Sequence, residues 1–80
     1  MKQIIELKAN DNLTLELTFS EGEVKVYDLK PILKCEVFKP LADISTFKQV
    51  RNRGYYVEWG DDIDLSADTL YIEGVLKSGT

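Results

Sequence analysis

Leu13, Leu15, Leu17 and Phe19 alternate with Asn12, Thr14, Glu16, Thr18 and Ser20, a period of two that predicts a strand with one apolar and one polar face. A helix would scatter those leucines around its circumference. Val24-Lys25-Val26-Tyr27 repeats the alternation. Glu21-Gly22 lies between the two runs, and Gly22 is free to take the positive φ that tight hairpin turns demand. A two-residue loop predicts Phe19 opposite Val24, Leu17 opposite Val26, Thr18 opposite Lys25 and Glu16 opposite Tyr27, which gathers both apolar sets on one side. Upstream, Ile5, Leu7 and Ala9 alternate with Glu6 and Lys8, and Asn10-Asp11-Asn12 is a turn cluster, so a further antiparallel strand precedes the hairpin.

Three strands with one apolar face are not stable alone, so other elements must cover that face. Asp28-Leu29-Lys30-Pro31-Ile32-Leu33-Lys34 predicts a short helix, with Asp28 as cap and proline tolerated in the first turn. Pro40 is expected to interrupt the next stretch. Asp43-Ile44-Ser45-Thr46-Phe47 then predicts a single helical turn leading to a second hairpin, Lys48 to Arg51 and Tyr55 to Trp59 around Arg53-Gly54. That turn sets Val50 against Val57, Arg51 against Tyr56 and Gln49 against Glu58. It sorts Tyr55, Val57 and Trp59 to one face and Arg51, Tyr56 and Glu58 to the other. After Gly60-Asp61-Asp62, Ser66 is expected to cap a helix over Ala67 to Leu76 that turns Leu70, Tyr71 and Val75 inward, weakened by Gly74. The order is β-β-β-α-β-β-α, an α+β fold in which short helices cover one face of an antiparallel sheet.

Eighty residues support one domain, 1–80. Histidine is absent, which removes the commonest general base and zinc ligand. Cys35 is the one cysteine, so an intrachain disulfide and a Cys–His pair are both excluded; it is expected to be buried and inert. No apolar run approaches the roughly 18 residues of a membrane span, and Glu6 interrupts any leader-like start, so a cytoplasmic protein with no membrane association is expected. The net charge of −4 disfavours phosphate backbones as partners. Its distribution is uneven: −3 over residues 1–29, +4 over 30–53 and −5 over 54–80.

Over about residues 4 to 73 the chain resembles a small bacterial family, domain of unknown function 2442. The resemblance is carried by Phe19-Ser20-Glu21-Gly22, Asp28-Leu29 with Pro31 and Leu33, Phe38 with Leu41 and Asp43, Phe47 with Val50, and Trp59 followed by Asp64-Leu65-Ser66-Ala67-Asp68-Thr69-Leu70-Tyr71. The family typically shows Trp-Pro-Asn-Gly where this chain has Trp59-Gly60-Asp61-Asp62, and a proline in place of Ala67. The resemblance implies a stand-alone protein or a module otherwise joined to a helix-turn-helix DNA-binding domain, often beside small toxin–antitoxin-like genes. It implies no catalytic residues. A chain of this length is expected to lack the attached DNA-binding domain.

Three constellations are candidates for chemistry. Lys48, Arg51, Arg53 and Tyr56 suit a basic strip for an acidic partner or a nucleic acid, although cross-strand pairing explains the same residues. Asp62, Asp64, Ser66 and Glu73 match part of a calcium loop, but Ala67 stands where that loop needs glycine, and an acidic turn capping the last helix accounts for them more simply. Asp61 and Asp62 form a carboxylate pair without a nucleophile or phosphate-cradling glycine loop nearby. Trp59 is expected in the core. The expected function is therefore non-catalytic: an accessory module that binds another protein or itself by a sheet edge or the basic strip, without cofactor or metal. The alternatives are a nucleic-acid regulator using the strip and a metal-dependent enzyme.

Overall fold

The computed structural model describes residues 1–77. Strands β1 (Ile4–Ala9), β2 (Thr14–Phe19) and β3 (Val24–Asp28) come first. Two 3-10 segments, Lys30–Ile32 and Glu36–Ala42, and a helical turn α1 (Ile44–Phe47) lead to β4 (Arg51–Asn52), β5 (Tyr56–Trp59) and β6 (Ile63–Ser66). Helix α2 (Ala67–Glu73) and β7 (Val75–Leu76) follow. The strands form two antiparallel sheets, β1-β2-β3-β7 and β4-β5-β6, so the α+β class holds and the expected order holds roughly, with two further strands, β6 and β7, and one sheet divided into two.

The first hairpin departs from expectation by one residue. Leu15 pairs with Tyr27, Leu17 with Lys25 and Thr18 with Val24, because the loop is three residues long: Phe19 N–H donates to Glu23 C=O (2.8 Å) and Gly22 N–H to Phe19 C=O (2.8 Å). Gly22, at φ +98°, supplies the left-handed residue that such a loop requires in its last position. A shift of one flips every side chain of β3. Lys25 and Tyr27 therefore share the core side with Leu15 and Leu17, whereas Val24 and Val26 lie half-buried on the other face. Leu13 is not part of the strand; it turns the chain at φ +64°. In β1 a bulge between Ile4 and Glu6 makes Ile4 the buried residue and leaves Ile5 exposed, against the simple alternation.

The helix expected over residues 28–34 is only a 3-10 turn, although Asp28 Oδ1 does accept from Lys30 N–H (3.0 Å) and Pro31 does sit in the first turn. Pro40 lies inside the second 3-10 segment instead of interrupting it. Asp43 caps α1 by accepting from Thr46 N–H (3.1 Å). Cys35, on the connection between the 3-10 segments, is exposed, not buried.

The second hairpin turns about Gly54 and Tyr55, with Arg51 opposite Glu58 and Asn52 opposite Val57, and Arg53 N–H donates to Tyr56 C=O (2.8 Å). This register differs from expectation by two residues, so the faces are preserved: Val57 and Trp59 are buried, while Arg51, Arg53 and Tyr56 are exposed. Tyr55, in the turn, is exposed as well. Ser66 caps α2, its Oγ accepting from Thr69 N–H (3.0 Å). The helix stops at Glu73 instead of running to Leu76. A Cβ at Gly74 would lie 2.5 Å from the Leu70 carbonyl oxygen, and past this glycine the chain becomes extended as β7, whose Val75 pairs with Val26 and points to solvent.

One core joins the two sheets. Leu15, Leu17 and Phe19 meet Leu41, Phe47, Val57, Trp59, Ala67 and Leu70, all buried. Trp59 belongs to this core as expected: its Nε1 donates to Phe47 C=O (2.8 Å) and its ring stacks on Phe47 with centroids 6.3 Å apart.

Candidate functional site

Strand alternation brings Arg51, Arg53 and Tyr56 to one exposed face of the second sheet. The same alternation brings acids there. Glu58 stands between Arg51 on β4 and Asp64 on β6, and Arg53 Nε lies 2.8 Å from Glu58 Oε2. That hydrogen bond to the carboxylate raises the pKa of the Arg53 guanidinium further. Lys48 is not part of this face; it forms an ion pair with Asp11 in the turn before β2, and the bond holds the Asp11 carboxyl below its ordinary range. Two basic and two acidic side chains thus share the outer face of β4-β5-β6, a balanced surface instead of a basic strip.

The acidic run divides among different elements. Asp61 and Asp62 are exposed in the turn whose Gly60 takes φ +62°. Asp64 lies on a strand not foreseen from the sequence, Ser66 caps α2, and Glu73 is at the far end of that helix. An extended strand moves alternate side chains apart, whereas a calcium loop wraps them around one point. Among the described residues no group of three or more Cys, Asp or Glu side chains could hold a metal ion.

A denser arrangement surrounds Tyr71. Its ring meets Phe19 edge-on with centroids 5.2 Å apart. Lys2 Nζ and Lys25 Nζ lie 3.9 and 4.0 Å from its centroid, and its hydroxyl donates to Glu23 Oε2 (2.6 Å). Lys25 Nζ also donates to the Tyr71 carbonyl (2.6 Å). Hydrogen bonding to Glu23, then burial, raises the Tyr71 pKa above its ordinary value. The cluster holds the Lys25 ammonium and Glu23 Oε2 that the one-residue shift turned inward; Glu23 Oε1 is buried without a hydrogen bond, with Lys2 Nζ 3.8 Å away.

A concavity lies beside the edge of β3 and β7. Val26, Pro31, Ile32, Val75 and Leu76 supply its apolar wall, Thr14 and Tyr27 its floor, and Asp28 and Glu73 its charges. Val75 and Leu76 are 71% and 60% exposed, and Ile72 on the last turn of α2 is 77% exposed. Burial raises the Tyr27 hydroxyl pKa and Glu73 adds to it. Sequence reasoning missed this groove because it continued α2 through Val75 and turned that residue inward. The signal available was Gly74 followed by a β-branched residue.

The model of a family described as protein of unknown function (DUF2442) matches residues 4–74, and the chain belongs to that family. No curated protein and no solved structure matches the chain. Among the described residues no helix is long and apolar enough to cross a membrane.

Proposed function

We propose that this member of the DUF2442 family is a non-catalytic, cytoplasmic accessory module that binds another protein, and that the groove beside β3 and β7 takes an extended segment of that partner. The observation that carries this reading is the exposure of Val75 and Leu76 on a short edge strand whose neighbours in the groove are also apolar. Exposed apolar patches bordered by polar groups mark interaction surfaces, and an open sheet edge supplies main-chain partners for an added strand. The two charged residues lining the groove, Asp28 and Glu73, are both acidic, which favours a segment that alternates apolar and basic side chains. Asp28 is already 3.0 Å from Lys30, so Glu73 carries most of this preference. The charge balance on the second sheet supports the same reading over a nucleic-acid regulator, because Lys48 and Arg53 already hold carboxylates that a phosphate would have to displace.

The test uses two synthetic peptides of equal length, one alternating valine with lysine and one alternating valine with glutamate, titrated into the full chain and followed by amide chemical shifts. The lysine peptide is expected to shift Val26, Val75 and Leu76, to bind more tightly than the glutamate peptide, and to lose binding in Val75→Asp. Equal response to both peptides, or shifts concentrated elsewhere, would refute the reading.

A further inference from the structure

The opposite edge of the four-stranded sheet is built differently. β1 is the terminal strand on that side. In antiparallel pairs, peptide groups alternate between facing the neighbour and facing away. Asn10 N–H donates to Thr14 C=O (2.9 Å), and Lys8 and Glu6 follow at two-residue steps, paired with Glu16 and Thr18. Glu6, Lys8 and Asn10 therefore direct their peptide groups at β2, and Leu7 and Ala9 direct theirs outward. The bonds that β1 makes on its outer side stop at Ile4, whose N–H donates to Gly54 C=O (2.7 Å) and whose carbonyl accepts from Asn52 Nδ2 (3.0 Å). Beyond that residue Ile5 is 54% exposed, and Glu6 and Lys8 are exposed. Neither of these charged side chains belongs to an ion pair among the described residues.

We infer that β1 is a self-association edge, on which a second copy of this chain docks antiparallel about a two-fold axis passing through Leu7. The spacing of charges in Glu6-Leu7-Lys8 selects that axis. With Leu7 facing Leu7 of the second copy, two outward peptide groups meet and form a reciprocal pair of hydrogen bonds. On either side Glu6 stands opposite Lys8 of the second copy, in the close, non-hydrogen-bonded positions where opposite charges attract most. Moving the axis one residue along places Glu6 against Glu6 or Lys8 against Lys8. The outward peptide groups still face one another in both alternatives, so the like charges set in the close positions are what disfavour them. The contact is isologous, as two-fold dimers require, and it joins two four-stranded sheets into one continuous sheet. The bulge before Glu6 ends the ladder there and keeps the dimer weak, dependent on concentration and on salt.

This inference goes beyond the groove reading and uses the other edge, so the two can fail separately. Sedimentation equilibrium of the full chain at low ionic strength, over a wide concentration range, is expected to show monomer passing to dimer. Glu6→Lys alone and Lys8→Glu alone each place like charges across the seam and are expected to sediment as monomers. An equimolar mixture of the two is expected to recover the dimer, as is the double variant carrying both exchanges. Recovery on mixing would also establish that each single variant is folded. Val75→Asp, on the opposite edge, is expected to leave the dimer unchanged. A monomer at every concentration would overturn the inference, and so would a dimer indifferent to the single exchanges, no recovery on mixing, or a dimer abolished by Val75→Asp.

Discussion

Between β2 and β3 three residues turn the chain, whereas Gly54 and Tyr55 alone turn it between β4 and β5. The consequence is where each hairpin sends its charges. The longer loop carries Lys25 to the side of the sheet that holds Leu17, and the ammonium is then held by the Tyr71 carbonyl and ring. The shorter turn leaves Arg51, Arg53 and Glu58 on the outside, where they meet one another in water. An inward charge demands specific partners, because a polar group taken from water without them is costly. Outward charges need none, and exposed pairs contribute little. The first hairpin is therefore tied to α2, and the second is free to vary on its outer face.

The largest test of that contrast is Phe19→Ala. Phe19 is fully buried and meets the edge of Tyr71, so truncation leaves a cavity and removes the surface on which Tyr71 rests. A loss of about 3–5 kcal/mol is expected, read from urea unfolding. Tyr56→Ala, on the exposed face of β5, is expected to cost less than about 0.5 kcal/mol. Similar losses at the two positions would show that the outer face of the second sheet is covered after all.

Gly22→Ala probes the loop itself. A Cβ there meets nothing within 4 Å, so no clash contributes, and the φ of +98° alone sets the expected cost at about 1–2 kcal/mol. Amide spectra should keep the Leu17–Lys25 pairing. If the variant instead moved to a two-residue loop, Lys25 would turn outward, and its inward placement would rest on Gly22.

That loop also marks where local reading stopped. Leu15, Leu17 and Phe19 were legible because burial on one face leaves a period of two. The turn was not, since both a two-residue and a three-residue loop end at Gly22 and they differ by a single position. Val24 and Val26 argue locally for facing inward, and the partner that makes Lys25 acceptable there, Tyr71, lies 46 residues away. Ile63-Asp64-Leu65-Ser66 does alternate, but its acids and its capping serine drew attention to a loop. β7 is two residues long and pairs with β3 alone among the described residues, so apart from Gly74 and the β-branched Val75 nothing near it in sequence signals a strand. Of the candidate site, the common face of Arg51, Arg53 and Tyr56 followed from parity, which survives a shift of two. The pairing of Lys48 with Asp11 joins residues far apart in sequence and left no local trace. Cys35 was placed by the usual habit of cysteine, which carries no information about an exposed connection between two 3-10 turns.

Tyr71→Phe sharpens the contrast by keeping the ring and removing the hydroxyl that donates to Glu23. A modest fall in melting temperature is expected, with a change in its dependence on alkali. The Tyr71 and Tyr27 hydroxyls both hold their protons more tightly folded than unfolded, the first chiefly through Glu23 and the second chiefly through burial. A group whose folded pKa is raised contributes stability that is complete below its unfolded value, near 10, and lost as pH rises through the folded one. Melting temperatures measured from about pH 8 to about pH 11 should therefore fall, and fall less steeply in Tyr71→Phe. An unchanged slope would remove the Glu23 hydrogen bond from the account.

The smallest effect is expected at Arg53, and it is the one that defines the second hairpin. Arg53→Gln deletes the 2.8 Å contact with Glu58, and the Glu58 carboxylate that remains is partly exposed and regains water where the guanidinium stood, so it is not left as an unpaired buried charge. Its melting temperature should match the parent within error, at low and at high salt. Lys25→Gln shortens a side chain whose ammonium is held by the Tyr71 carbonyl on the core side, leaving that carbonyl without its donor, and should melt measurably lower. Were Arg53→Gln to melt as low as Lys25→Gln, the outer ion pair would be holding the second hairpin in register, and the difference in turn length would no longer explain where this chain can tolerate losing a charge.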